Sequence, residues 1–324
     1  MRTRLLLSRA LLCLLLINSR AALMASENPA QPSSVRIYKA GAEEMTYSKP
    51  GFWRTVADGP GDWWTFVKYS VAKERLPWLG AIAASTVLLI RADQKIYDNT
   101  RRLGKKLNIS TKDKTRPFLT VGGVPLFRGP SDLGSAMYFL GDGWVNIGLF
   151  AYFETYGWLK DDWRAATTGH QLMEGLLVTG FTTQLVKRVA GRETPLAAHS
   201  PRGVWRPFPA FADFQGHRTR YDAFPSGHLA TGMMTVTVIA DNYPEKKFIK
   251  PLGYGLLGLL SFQMLNNGVH WISDYPLGLG IGYAVGKAIT ANSGNRAKKT
   301  ASSLNFYPSL MPGQPIGVNM EYRF

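Results

Sequence analysis

Phe224-Pro225-Ser226-Gly227-His228 runs straight into the apolar stretch from Leu229 to Ala240. Proline halts the preceding segment, serine is a favoured helix N-cap, and glycine lets the backbone approach a ligand closely. The stretch reads as the start of a helix whose first turn presents free amide N–H groups, a ready site for an anion. A histidine in that turn stands where it can hand a proton to a bound leaving group. The competing reading is an ordinary capped helix with an incidental His228.

Outward from this block, which we bound at Ser226 to Ala240, five more apolar runs stand out. They are Pro77 to Ile90, Trp144 to Trp158, Arg164 to Lys187, Phe248 to Leu265 and Tyr275 to Ile289. Their length favours helices over strands, and their glycines and other small residues allow close helix packing. The expected fold is all-α, a multi-helix bundle with about six membrane-embedded helices. Several runs are only roughly 14–18 residues, at the short end for a ~30 Å hydrocarbon core. A buried bundle in a soluble protein gives a similar pattern.

Around the helical domain, taken as residues 77–290, lie simpler segments. Residues 1–25 have a basic start, an apolar run from Ala10 to Ile17 and small residues up to Ala25, the layout of a cleavable secretory signal. An uncleaved anchor is the alternative. Residues 26–76 read as an N-terminal arm and an interfacial segment, with Trp53, Trp63, Trp64 and Phe66 suited to a membrane-interface belt or to packing in a core. Residues 95–135 and 191–224 read as long loops. Residues 291–324 form a C-terminal tail whose end, Val318 to Phe324, has the character of a short strand.

The formal net charge is +16. A balance this basic favours anionic partners. Lysine pairs such as Lys105-Lys106 and Lys246-Lys247 flank apolar runs, so lipid head groups or an anionic substrate fit better than nucleic acid. The single cysteine, Cys13, lies in the leading apolar run, which leaves no disulfide, thiol nucleophile or cysteine metal site in the remainder.

Two further elements carry chemistry. In His270-Trp271-Ile272-Ser273-Asp274, the imidazole and carboxylate are four apart and share a face if the segment is helical. A carboxylate on one ring nitrogen leaves the other free as a nucleophile. A structural His–Asp cap is the plainer alternative. Lys187 closes the third run and is followed by Arg188, Gly191, Arg192 and Pro195, a basic turn suited to a phosphate or simply to the flank of a membrane helix. His170 and Glu174, four apart, read as a structural interhelical pair or as the lining of a substrate groove. His199 and His217 read as loop residues.

Taken in order, these elements resemble the superfamily of type 2 phosphatidic acid phosphatases and vanadium haloperoxidases. Its signatures are Lys-x6-Arg-Pro, Pro-Ser-Gly-His and Ser-Arg-x5-His-x3-Asp. The second is intact at Pro225-Ser226-Gly227-His228, and the third keeps His270 and Asp274. The first keeps Lys187, Gly191, Arg192 and Pro195, but Thr194 replaces its arginine, and Gln263 and Met264 replace the Ser-Arg of the third. Both arginines grip phosphate in the family. Their loss should weaken binding of the phosphate and of its transition state, by ~1.5–3 kcal/mol per charged hydrogen bond. Arg188, Arg192, Arg202, Arg206, Arg218 and Arg220 are the guanidinium groups placed to compensate.

The resemblance implies a phosphohistidine mechanism. His270 would attack phosphorus, Asp274 would orient it, and His228 would protonate the leaving oxygen and then activate water. Lys187, Arg188, Arg192 and the amides near Ser226 and Gly227 would hold the remaining oxygens, with no metal or other cofactor. The implied substrate is a lipid phosphomonoester or pyrophosphate at a membrane, with the site facing the periplasm or cell exterior. Two other outcomes remain open on these residues. One is a catalytically degenerate member that binds a lipid or a partner. The other is a different enzyme on the same scaffold, such as a phosphoryl or head-group transferase or a vanadate-dependent oxidant.

Overall fold

The computed structural model describes residues 35–40, 43–51, 59–292, 303–309 and 317–323. The chain divides into Met1–Val35 and Arg36–Phe324, and the architecture below is that of the second unit. The expected signal at residues 1–25 lies outside the described residues.

Ten α-helices carry the described fold: α1 (Gly59–Val71), α2 (Leu76–Ile90), α3 (Asp93–Lys106), α4 (Leu133–Phe139), α5 (Gly143–Lys160), α6 (Trp163–Ala190), α7 (Phe211–Gly216), α8 (Gly227–Asn242), α9 (Ile249–Asn266) and α10 (Tyr275–Asn292). The six apolar runs coincide with α2, α5, α6, α8, α9 and α10. Strand is not confined to a tail. It forms three two-stranded pairs, β1 (Val35–Ala40) with β2 (Glu43–Ser48), β3 (Thr115–Val121) with β4 (Val124–Pro130), and β5 (Ser303–Ser309) with β6 (Gly317–Arg323). The supposed loop 95–135 thus holds most of α3 and a hairpin.

Local chemistry sets the helix starts. Asp132, Asp142, Asp162 and Ser226 each cap a helix by accepting a backbone N–H, from Ser135, Trp144, Ala165 and Leu229 respectively. α6 ends at Gly191, whose φ of 55° is left-handed and whose N–H returns to the Lys187 carbonyl at 2.8 Å. A side chain there would also strike the Arg206 carbonyl.

α8 is the centre of the bundle. One face packs Ala230, Met234 and Val238 against Leu172 and Val178 of α6, Phe66 of α1 and Ile281, Val285 and Ile289 of α10. Its other side joins Leu229 to Leu257, Leu260 and Met264 of α9. Gly278, Gly282 and Gly286 line the face of α10 turned to α8, where a Cβ would fall 2.6 Å from the Ser226 carbonyl or 2.7 Å from Thr237 Cβ. This stripe brings the two backbones together and fixes the start of α8 beside the start of α10.

Against the expectation of about six membrane-embedded helices, no single helix among the described residues is long and apolar enough to cross a membrane. The cause is polar content. α6 has 28 residues but carries Arg164, His170, Gln171, Glu174 and Lys187. Its buried threonines satisfy their hydroxyls on the preceding turn, as Thr182 does on the Val178 carbonyl at 2.7 Å. Among the described residues only the pair Lys73–Ile90 and Asp93–Lys106, bent by 70° at its junction, is together long and apolar enough.

Candidate active site

Four segments converge at one end of the bundle: the end of α6, the returning part of loop 191–224, the start of α8, and the α9–α10 junction. Loop 191–224 doubles back on itself. Arg192 bridges to both Trp205 and Asp222, and the Ala223 N–H bonds the Arg192 carbonyl at 3.0 Å. This fold-back delivers Asp222 and Ala223 to the site. The Phe224–Pro225 peptide is cis.

His270 is buried, at 3% exposure. Its Nδ1 lies 2.6 Å from the Ala223 carbonyl oxygen. A carbonyl can only accept, so Nδ1 carries a proton, and in the neutral ring it is Nε2 that holds the lone pair. The Asp274 carboxylate stands 3.6 Å from Nδ1, beyond a hydrogen bond. Its oxygens are committed elsewhere, Oδ2 to the Trp271 N–H at 2.7 Å and Oδ1 to Arg192. The hydrogen bond that orients His270 therefore comes from a backbone carbonyl brought in by the loop. Asp274 supplies negative charge nearby and holds the turn.

His228 sits in the first turn of α8, after the Ser226 cap. The Tyr138 ring of α4 lies on its imidazole at a centroid distance of 4.4 Å. Burial lowers its pKa from 6.5 to about 3, with smaller contributions from the neighbouring His270 and Lys187. The two histidine motifs are joined directly, since the Ser226 N–H bonds the Asp274 carbonyl at 3.1 Å and so sets the start of α8 against the His270 turn. Lys187 Nζ donates to the Asp222 carbonyl at 2.6 Å and lies 3.8 Å from the Asp222 carboxylate. Burial lowers its pKa, against the pull of Asp222 and Asp274. A Cβ on Gly227 would stand 4.0 Å from Lys187 Cε, so the lysine stem runs beside the α8 N-terminus. The amides of Gly227 and His228 precede the first intrahelical bonds there. Ser226 spends its hydroxyl as the cap, accepting from Leu229, and donates to Met264 Sδ at 3.5 Å.

Two expected phosphate ligands lie elsewhere. Arg192 is fully buried and bound through both terminal nitrogens: to Asp93 at 2.6 Å, to Ser273 at 2.7 Å, to the Arg202 carbonyl at 3.3 Å and to Asp274, with Nε left unpaired. It ties the His270 turn to α3, and its terminal nitrogens are committed to that role. Asp93 also accepts from the Ser273 N–H and hydroxyl, and burial raises its pKa against the opposing effect of Arg192. Arg188 bonds Gln184 and lies over Phe214, away from the hollow.

The positions where arginines were expected are closed by other groups. Thr194 is 3% exposed with its hydroxyl unpaired, and Met264 is fully buried against Ser226. Gln263 bonds the Ser110 carbonyl at 2.9 Å. Among the loop arginines, Arg206 pairs with Glu193 at 3.5 Å. Arg218 is exposed, and it is the arginine whose charge acts on Lys187. His170 pairs with Glu154 across α5 and α6 at 3.1 Å, and His217 with Asp213 at 2.7 Å.

Sequence reasoning missed Tyr138, Asp222, Ala223 and Asp93. Asp222 and Ala223 lie in the segment read as a loop, and Tyr138 lies just before the second apolar run. Asp93 was visible only as the charge ending the first apolar run. Among the described residues no group of three or more histidine, cysteine, aspartate or glutamate side chains is gathered to hold a metal ion.

Comparison with known proteins adds one finding. No curated protein and no solved structure matches the chain. The model of the PAP2 superfamily matches residues 169–298, which span α6 to α10 and hold Lys187, His228, His270 and Asp274. Over this segment the chain is similar to the PAP2 superfamily, a likeness that points to phosphatase-type chemistry on phosphate esters.

Proposed function

We propose that this chain hydrolyses lipid phosphomonoesters or pyrophosphates through a phosphohistidine on His270. The observation that carries the reading is the hold on His270, with Nδ1–H on the Ala223 carbonyl and its turn tied to the start of α8 through the Ser226 N–H on the Asp274 carbonyl at 3.1 Å. Nε2 attacks phosphorus as the bond to the leaving oxygen breaks, and His228 gives that oxygen a proton. Water then attacks the phosphoryl group, its proton passes to His228, and inorganic phosphate leaves as the P–N bond breaks. Lys187, Arg218 and the amides of Gly227 and His228 stabilise the equatorial oxygens, where preorganised donors act most strongly.

His228 begins neutral, because burial, with the neighbouring His270 ring and the charge of Lys187, opposes its protonation. A dianionic phosphoryl group in the hollow reverses that field and draws a proton onto the ring. The basic chain and the apolar surfaces of α2, with Trp78 71% and Leu88 64% exposed, favour a substrate met at a bilayer. The proposed placement is at a membrane, with the hollow facing the periplasm or cell exterior.

The test is phosphate release from a lipid phosphomonoester in mixed micelles by the purified full chain. Release that disappears in His270→Ala supports the proposal; release unchanged in that variant overturns it. A second reading rests on Thr194 and Met264. With both arginines replaced, the fold would bind a phosphorylated lipid without turnover. Tight binding with no phosphate released would select it.

A further inference from the structure

The β3–β4 hairpin departs from the pattern of a half-buried strand pair. Gly122 (φ 57°) and Gly123 (φ 81°) make its two-residue turn, with both left-handed residues that a type I′ hairpin requires. Alternating side chains of such a pair ordinarily have one face covered and one in water. Here Phe118, Leu119, Val121, Val124 and Leu126 are all between 52% and 60% exposed. Phe127, nearer the base, makes the aromatic contacts to the bundle, edge-on to Phe139 and Trp144. Phe118 is covered on part of its ring by Arg116 and Phe127, while Leu119, Val121, Val124 and Leu126 toward the tip stay more than half exposed from both strands.

At the base the polarity reverses. Arg116 and Arg128 stand on the two strands near their outer ends, and Arg128 is fastened to Thr115 at 3.1 Å. Just before β3 lies an open cavity of about 700 Å³ lined by Arg101, Arg102, Lys105, Lys112 and Lys114 but by no carboxylate residue. Lys114 is tied at 3.7 Å to Asp132, outside that lining. An apolar tip above a cationic collar is the arrangement of a segment seated in a bilayer interface, with its tip among acyl chains and its cations at lipid phosphates. The charge also argues against a second copy as the occupant, since two collars of the same sign would repel.

We propose that the β3–β4 hairpin and the basic cleft at its base dock onto an anionic lipid bilayer. The proposal deepens the lipid-phosphate reading and rests on it for its purpose, because docking would bring the hollow to substrate in the surface. The hairpin lies outside residues 169–298 and so outside the matched segment.

The test uses the full chain with Cys13→Ser and Val121→Cys, the new thiol carrying an environment-sensitive fluorophore. Vesicles containing phosphatidylglycerol should shift its emission to the blue, and phosphatidylcholine vesicles should do so far less. Arg102→Glu with Lys105→Glu should weaken the anionic-vesicle response about tenfold at low salt, with the difference shrinking as salt screens the collar. An unshifted probe overturns the proposal. So does an equal response to both lipids that ignores the charge reversals, or a shift that grows with protein concentration in the absence of vesicles. Hydrolysis of a soluble aryl phosphate, measured on the same samples, separates the two readings. Its absence throughout would sink the phosphatase proposal while leaving the docking result intact.

Discussion

At the residue scale, the two histidines differ in what surrounds them. His270 is held by one short hydrogen bond to a carbonyl, which decides its tautomer. His228 is pressed under Tyr138 and pushed down to about 3. The linkage follows from that direction. Between about pH 6.5 and about pH 3 the unfolded chain protonates His228 and the folded chain does not, so stability at this site is lost as pH falls through that window. Urea midpoints measured across this range should drop less steeply for His228→Asn than for the wild type. Parallel slopes would show that the ring is not held neutral. The motif Pro225-Ser226-Gly227-His228 was legible because cap, glycine and histidine are consecutive. The carbonyl that fixes His270 was not, since it lies 47 residues away and belongs to a residue with no functional group of its own.

At the element scale, loop 191–224 is as much a part of the site as the helices. It returns upon itself at Arg192, lays Ala223 against His270 and Asp222 against Lys187, and leaves Arg218 exposed. The spacing of basic residues after α6 did not reveal which arginine would be buried. Arg192 pairs with Asp93 and Asp274, 99 and 82 residues away, and such partners are invisible to local pattern. Its burial separates two predictions. Arg192→Ala strands two buried carboxylates and should cost about 3–5 kcal/mol of stability, read by urea unfolding. Arg218→Ala should leave the unfolding midpoint unchanged but lower kcat/KM about 10- to 100-fold, the worth of a charged hydrogen bond in the transition state. Unchanged kcat/KM would remove Arg218 from the site.

At the scale of the whole molecule, the six apolar runs are the six main helices because each is long and locally uniform. The segments that escaped notice are those whose order depends on something distant. α3 is mostly polar and is anchored through Asp93 to the His270 turn. α1 carries Gly59, Pro60 and Gly61 in its first turn but buries Phe66 in the main core. The β3–β4 hairpin has turn glycines in sequence, yet its apolar strands read as part of a charged loop. The bundle's function in this account is to bring the α8 N-terminus and the α9–α10 junction to one hollow, through the close approach of α10 to α8.

That claim is tested most directly by trapping the covalent intermediate. With p-nitrophenyl phosphate the leaving group needs little help from an acid, so His228→Asn should still be phosphorylated and then hydrolyse slowly. Quenched in base and mapped by peptide mass, His228→Asn should carry a phosphoryl group on His270, at an occupancy well above wild type. No phosphoryl group in either protein, or one on a residue other than His270, would contradict the account.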